Sequence, residues 1–300
     1  MSENIPWTEK YRPTSLHNVV MNDYNKFFFN NIISNNIFPN ILLYGPPGTG
    51  KTTTIINLIN EYQNKYNKIN KAFILHLNAS DERGIDIIRN NINTFVKNNN
   101  MFGKMKFVIL DEVDYMTKVA QIALSYLISE NNNNIRYCLI CNYISKIENS
   151  LKNNFCKIKF NFLPSNYVYN YINNINIIEK LKLSSDSIYT LINYYDNDIR
   201  SMINYIQSNR SKAIINNNVY EKLFALNLSP NYDNFYTNII HLQNQFNTSI
   251  NFIIKNYIFY ILSTKFDHMT SQKISDYELI IHNINNSNYC IKYLYFILHS

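Results

Sequence analysis

The sequence predicts an α/β fold, a five-stranded parallel sheet with helices on both faces, followed by a small helical segment and an all-helical C-terminal segment. Three observations carry this. Short continuous apolar runs alternate with helical patterns as far as about residue 160, and strands buried on both faces read that way. One run, Ile41-Leu42-Leu43-Tyr44, leads directly into a glycine-rich stretch that opens a helix. From about Leu163 the strand signal stops and apolar residues recur only at helical spacing. The expected boundaries are 1–162, 163–228 and 229–300, in keeping with roughly 100–200 residues or fewer per domain.

Composition narrows the class. The 300 residues are 46% hydrophobic and 16% charged, with 25 Tyr and 18 Phe. Asn, Ile and Lys recur where other residues would serve, the mark of a base-composition bias, so single Asn residues and the run Asn131 to Asn134 carry little weight. A net charge of +7 favours an anionic partner such as nucleic acid. The N-terminus has no basic region followed by an apolar core, and Phe252 to Leu262 is interrupted by Lys255 and Asn256 and falls short of the ~20 residues a bilayer requires. A soluble intracellular protein is expected. Cys138 and Cys141 have metal-ligand spacing, but no second pair follows, and buried strand thiols are the expected reading.

Taken in order, residues 6–13 suggest an extended strap, because Pro6 and Pro13 each disfavour helix in the residue before them; a disordered leader is the alternative. A helix over about Asn22 to Ser34 precedes the first strand. In Gly45-Pro46-Pro47-Gly48-Thr49-Gly50-Lys51-Thr52 the glycines permit a tight turn with inward N–H groups, and the helix from Lys51 to about Asn64 offers its positive end. This is a cradle for nucleotide phosphates, with Lys51 on the β- and γ-phosphates and the Thr52 hydroxyl on Mg²⁺. The neighbouring Thr53 is counted with this site. Phe73 to Leu77 is the second strand; Ser80 or Asp81 is the expected cap of a helix from Ile85. The third strand, Lys106 to Leu110, runs into Asp111-Glu112, where Asp111 can orient Mg²⁺ and Glu112 polarise the attacking water. Thr117 is expected to cap a helix to about Ser129, with Ala120, Leu124 and Leu127 inward. The strand Arg136 to Cys141 ends at Asn142, expected level with Asp111, which can reach a γ-phosphate or simply end the strand. Lys157 to Phe160 is the fifth strand. Helices follow at Tyr167 to Ile177, Ser184 to Tyr195 and Asn197 to Ser208, the last carrying Arg200, a candidate γ-phosphate cation or a surface residue. Ser229-Pro230-Asn231 marks a boundary before helical patterns over about 235–247, 249–264, 271–285 and 287–299.

With these motifs in hand, the sequence resembles the small subunits of replication factor C, the sliding-clamp loader within the AAA+ ATPases. The resemblance rests on Pro6-Trp7-Thr8-Glu9-Lys10-Tyr11-Arg12-Pro13, on Leu42 to Thr52, on Leu77 to Ile85, on Leu110-Asp111-Glu112-Val113-Asp114, and on Cys141-Asn142-Tyr143. It is strong over about 1–147, recognisable around Asn197–Gln207 and weak beyond Pro230. It implies an AAA+ P-loop NTPase core, a helical lid, and a helical collar joining five subunits in an open ring. ATP and Mg²⁺ are the implied cofactors. Other loader subunits, the sliding clamp and primer–template DNA are the implied partners, and the nucleus or the site of DNA replication is the implied location. Tyr11, Arg12 and Pro13 would line the adenine site, Asn142 would be the first sensor and Arg200 the second. Arg83 and Arg89 match the DNA-contacting positions, and such contacts are salt-sensitive and sequence-independent.

The chain departs from the family in one informative respect. The family carries Ser-Arg-Cys before the fifth strand, its Arg acting on a neighbour's γ-phosphate, whereas this chain has Asn153-Asn154-Phe155; two further family arginines are Ser125 and Tyr126. Asn cannot supply the planar cation. The resemblance therefore implies a subunit that receives catalytic help without returning it, as at an end position of the ring, unless Lys152 substitutes. Two other readings stay open on sequence: a nucleotide-binding structural subunit without turnover, against which the intact Asp111-Glu112 argues, and another AAA+ DNA-remodelling motor, against which the opening octet argues.

Overall fold

The computed structural model describes residues 5–66, 70–80, 85–97, 105–130, 134–210, 215–226, 231–265, 270–282 and 287–299, with only the backbone given for 85–89, 97 and 130. Two compact units are present, Met1–Pro164 and Ser165–Ser300.

In the first unit the strap is not wholly extended. Residues Trp7–Lys10 form one helical turn, α1. Pro6 precedes the turn and Pro13 follows it at a distance, so the proline constraint falls on Ile5 and Arg12 and leaves 7–10 free to coil. The helix α2 (Asp23–Asn35) is capped by Asn22, whose side chain accepts from Asn25 N, and it ends at Asn36 in the left-handed region. Then come β1 (Ile41–Tyr44), α3 (Lys51–Tyr66), β2 (Ile74–Asn78), α4 (Ile85–Lys97), β3 (Lys106–Asp111), α5 (Lys118–Glu130), β4 (Ile135–Cys141), α6 (Asn149–Lys152) and β5 (Cys156–Lys159). The strand order is β2-β3-β4-β1-β5, and every pairing is parallel. Thr117 accepts from Ala120 N at the start of α5, as expected of a cap. Ser80 instead donates to Asn78 Oδ1 at 3.0 Å, and Asp81 lies outside the described residues.

Alternation along the strands sends side chains to two cores. Leu42, Val108, Leu110, Tyr137, Leu139 and Cys141 face one side and pack with Ala120, Leu124 and Leu127 of α5 and Leu151 of α6. Ile41, Leu43, Phe107, Ile109, Cys138, Ile140 and Ile158 face the other and pack with Phe29 and Ile32 of α2 and Ile55, Leu58, Ile59 and Tyr62 of α3. Leu16, Val19 and Met21 of the N-terminal segment join this second core, which pins the strap beside α3. Phe107 makes edge contacts with Phe38 and Tyr62 at 4.9 and 6.0 Å between centroids, pairs that add about 0.5–1.5 kcal/mol each beyond area burial.

The second unit is helical throughout its described residues: α7 (Ser165–Glu179), α8 (Ser185–Tyr194), α9 (Ile199–Ser208), α10 (Asn217–Leu226), α11 (Tyr232–Phe246), α12 (Ile250–Thr264), α13 (Ser271–His282) and α14 (Ser287–His299). The sequence reading omitted α10, although Tyr220 and Leu223 lie on one helical face and are buried. It also started α9 two residues early. Asp196 and Asn197 are left-handed, with φ of 47° and 64°, and Asp198 is the cap, accepting from the backbone N–H groups of Arg200 and Ser201. Ser184, Asn231 and Ser249 cap α8, α11 and α12 in the same way. One buried cluster draws on α10, α11, α12, α13 and α14, with Phe252, Tyr257 and Ile261 of α12 within it. Ser229, Pro230 and residues 283–285 lie outside the described residues.

Candidate nucleotide-binding site

The site is built at the C-terminal ends of the strands. Gly45 follows β1 with φ of 144°, and a Cβ there would lie 1.9 Å from the carbonyl oxygen of Phe160. Only glycine lets the chain turn beside β5 at this point. Gly48 and Gly50 also have positive φ, 73° and 86°, and the loop closes with Thr49 donating to the Pro46 carbonyl at 2.8 Å. The helix α3 starts at Lys51, so the loop residues Pro47 to Gly50 sit at its positive end.

Lys51 is buried, and its Nζ donates to the carbonyls of Gly45 and Pro46 at 2.7 Å each and to Asn142 Oδ1 at 3.0 Å. Thr52 donates to Asp111 Oδ2 at 2.7 Å. Residues separated by as many as 91 positions are thus brought together by strand register and by one helix start. The register pairs Leu110 with Leu139, so Asn142 extends beyond the level of Asp111 instead of matching it, and this is what carries it to Lys51.

Glu112 adopts φ of 57°, a conformation costing an ordinary side chain about 1–2 kcal/mol, and such strain concentrates at functional positions. Asp111 Oδ1 accepts the Glu112 N–H at 2.9 Å, and the Glu112 carbonyl accepts from Tyr115 N at 3.0 Å, so the turn is held from both sides. The strap lies against the helix that follows the loop. Arg12 Nε donates to Thr53 Oγ1 at 3.1 Å, Pro13 O accepts from Asn57 Nδ2 at 2.9 Å, and half-buried Tyr11 meets Trp7 edge-on.

The hydroxyl of Thr52 and the carboxylate of Asp111 are hard oxygen donors already in contact, a pair that suits Mg²⁺. By contrast, Cys138 and Cys141 are buried strand residues, and burial pushes both thiols up, Cys141 to about 12. Among the described residues there is no group of three or more His, Cys, Asp or Glu that could hold a metal. His76, at the edge strand β2, was not singled out from sequence. Much of it is open to solvent, yet crowding around the ring holds it below its ordinary value, with Asp111 opposing that shift and Arg12 adding to it. Asp114, whose carboxylate is buried behind Glu112, was likewise not given a role.

Arg200 is exposed in the first turn of α9, in the second unit. Arg83 lies outside the described residues, and of Arg89 only the backbone, within α4, is described. Asn154 is turned onto its own chain, donating to Ser125 Oγ and to the Ser150 carbonyl at 3.3 Å each, while Ser125 Oγ donates to the same carbonyl at 3.0 Å. Two of the positions at which the chain departs from the expected arginines therefore satisfy each other.

Comparison with known proteins agrees with this geometry. Residues 41–162 match the model of the ATPase family associated with various cellular activities (AAA). The chain is 40% identical over 221 residues to replication factor C subunit 3 of Saccharomyces cerevisiae, covering 72% of this chain and 62% of that protein. It is 39% identical over 206 residues to human replication factor C subunit 5, covering 68% and 60%. With a Dictyostelium discoideum protein named "Probable replication factor C subunit 5" it shares 31% identity over 291 residues, 91% of this chain and 83% of that protein. The matches to the yeast and human relatives thus span about six tenths of their length. No helix among the described residues is long and apolar enough to cross a membrane. The glycine loop, the strained carboxylate turn and the extended match to the Dictyostelium protein together place this chain in the replication factor C subunit family.

Proposed function

We propose that the chain binds and hydrolyses ATP as one subunit of a pentameric loader that sets a sliding clamp on primer–template DNA, in the nucleus or at the site of DNA replication. The observation that carries this is the meeting of three separate motifs at one point, with Lys51 on Asn142 and Thr52 on Asp111.

The roles follow from the chemistry. The inward N–H groups of residues 45–52 and the start of α3 would receive the phosphates, and Lys51 would exchange its loop carbonyls for phosphate oxygens. Thr52 and Asp111 would hold Mg²⁺, which when bound offsets negative charge on the phosphates. Glu112 would orient the attacking water, and Asn142 would report on the γ-phosphate through its contact with Lys51. Tyr11, Arg12 and Pro13 would border the base. Arg200 would act as a second cation on the γ-phosphate, and Arg83 and Arg89 would meet DNA phosphates. The three-part division at about 162 and 228 belongs to the same reading. So does the placement at a ring end, because Asn154 offers no cation to a neighbour and is engaged by Ser125 and Ser150.

Steady-state ATPase of the reconstituted complex, with and without clamp and primed DNA, tests the proposal. Joint stimulation that falls when this chain carries Glu112→Gln supports it. Turnover indifferent to clamp and DNA points to another AAA motor, and nucleotide binding without any contribution to turnover points to a structural subunit.

A further inference from the structure

We propose that Asp114 is a positioning residue that holds Asn142 on Lys51 and locks the Glu112 turn to the end of β4. Its catalytic consequence rests on the nucleotide reading above, whereas its geometry stands alone.

Asp114 sits in the single turn Val113–Tyr115 after β3 and is 7% exposed. Its Oδ2 accepts the backbone N–H of Asn142 at 3.3 Å and that of Tyr143 at 3.2 Å. These are the first two residues beyond β4, where the ladder to β1 has ended at Cys141. One carboxylate oxygen therefore replaces the strand neighbour that both amides lack, and a charged acceptor makes the stronger bond.

With its backbone fixed, Asn142 places its amide oxygen on the Lys51 ammonium. The turn carrying Asp114 also holds Glu112 in its left-handed conformation through the Tyr115 N–H. Asp114 thus joins Glu112, Asn142 and Lys51 into one mechanical unit. A second tie spans the same two segments on the outside. The Lys146 ammonium lies 5.6 Å from the centre of the Tyr115 ring and 5.0 Å from that of Tyr143. The remaining Asp114 oxygen, Oδ1, is buried with no hydrogen-bond partner among the described residues. Such a carboxylate is expensive to bury, and the two-amide clamp explains why one is used here.

Two measurements on the full chain test this. In hydrogen exchange without nucleotide, Asp114→Ala should speed exchange of the Asn142 and Tyr143 amides by roughly tenfold or more while Leu42 and Leu43 keep their protection. Asp114→Asn, which retains an acceptor oxygen, should restore most of that protection. Unchanged exchange at residues 142 and 143 in both variants overturns the proposal.

In single-turnover hydrolysis, Asp114→Ala should slow the chemical step by about tenfold with Kd for ATP changed less than about threefold. In an Asn142→Ala background the same substitution should cost clearly less, because only the part of its effect that passes through the Glu112 turn remains. Equal losses in the two backgrounds overturn the proposal. A wild-type chain that fails to bind ATP would defeat the functional reading instead, and the exchange measurement would still decide the role of Asp114.

Discussion

Replacing Gly45 by alanine puts a methyl group where the Phe160 carbonyl already sits. The added Cβ would lie 1.9 Å from that oxygen and 2.9 Å from its carbon, against ordinary heavy-atom separations near 3.5 Å. The chain would have to move by more than about 1 Å, and the Phe160 N–H to Tyr44 O hydrogen bond, 2.7 Å long, is in the way. Overpacking that shifts backbone costs about 1–3 kcal/mol, and a φ of 144° adds a comparable strain for any L side chain. Together they give roughly 3–5 kcal/mol. For a unit of this size that corresponds to a fall in Tm of about 6–20 °C. Gly50→Ala is the control. Its φ is also positive, at 86°, but its new Cβ would meet only Val19 Cγ1 at an ordinary 3.5 Å. It should lower Tm by only about 2–8 °C, from strain of about 1–2 kcal/mol. Thermal unfolding followed by circular dichroism, without nucleotide, measures both. Equal shifts in the two variants would refute the close-approach argument, because strain alone would then account for Gly45.

Two further outcomes are expected. Of the four cysteines, only Cys156 is exposed, so a thiol reagent at pH 8 should modify it quickly in the native chain. Cys141, buried and with its thiol pushed up to about 12, should react far more slowly, and mass mapping of the modified residues would check the order. On the proposed placement at a ring end, where no neighbour's site faces this position, Asn154→Arg should free the side chain from Ser125 and Ser150 yet leave turnover of the reconstituted complex within about twofold. A rise of about tenfold or more, as a cation supplied in trans gives elsewhere, would refute that placement.

The strands were the most legible part of the fold, because a strand buried on both faces leaves a continuous apolar run. Ile41 to Tyr44 matches β1, β3 and β4 differ from their expected bounds by one residue at one end, and β2 and β5 are each shifted by one residue at both ends. The helix α10 was not expected, because it opens on Asn217 and Asn218 in a chain where single Asn residues carry little weight, although Val219, Tyr220 and Leu223 carry helical spacing. At the candidate site, spacing and residue type singled out Lys51, Thr52 and Asp111, and the structure brings Thr52 onto Asp111 and Lys51 onto Asn142. The extra reach of Asn142 depends on the offset between β3 and β4, which a single strand's sequence does not contain. Asp114 was illegible for a related reason, because its partners are backbone N–H groups, which every residue but proline supplies.

The contacts of Lys51 bear on which ligands the loop accepts. An ammonium has three protons to donate, and here three oxygens take them, those of Gly45, Pro46 and Asn142. These acceptors are neutral, so an arriving anion still meets the ammonium's charge but must replace an existing set of hydrogen-bond acceptors. A lone sulfate or orthophosphate offers little advantage in that exchange, whereas a polyphosphate brings further oxygens to the loop N–H groups and α3 at the same time. A loop held in this way would favour a ligand that makes several contacts at once over a single small anion.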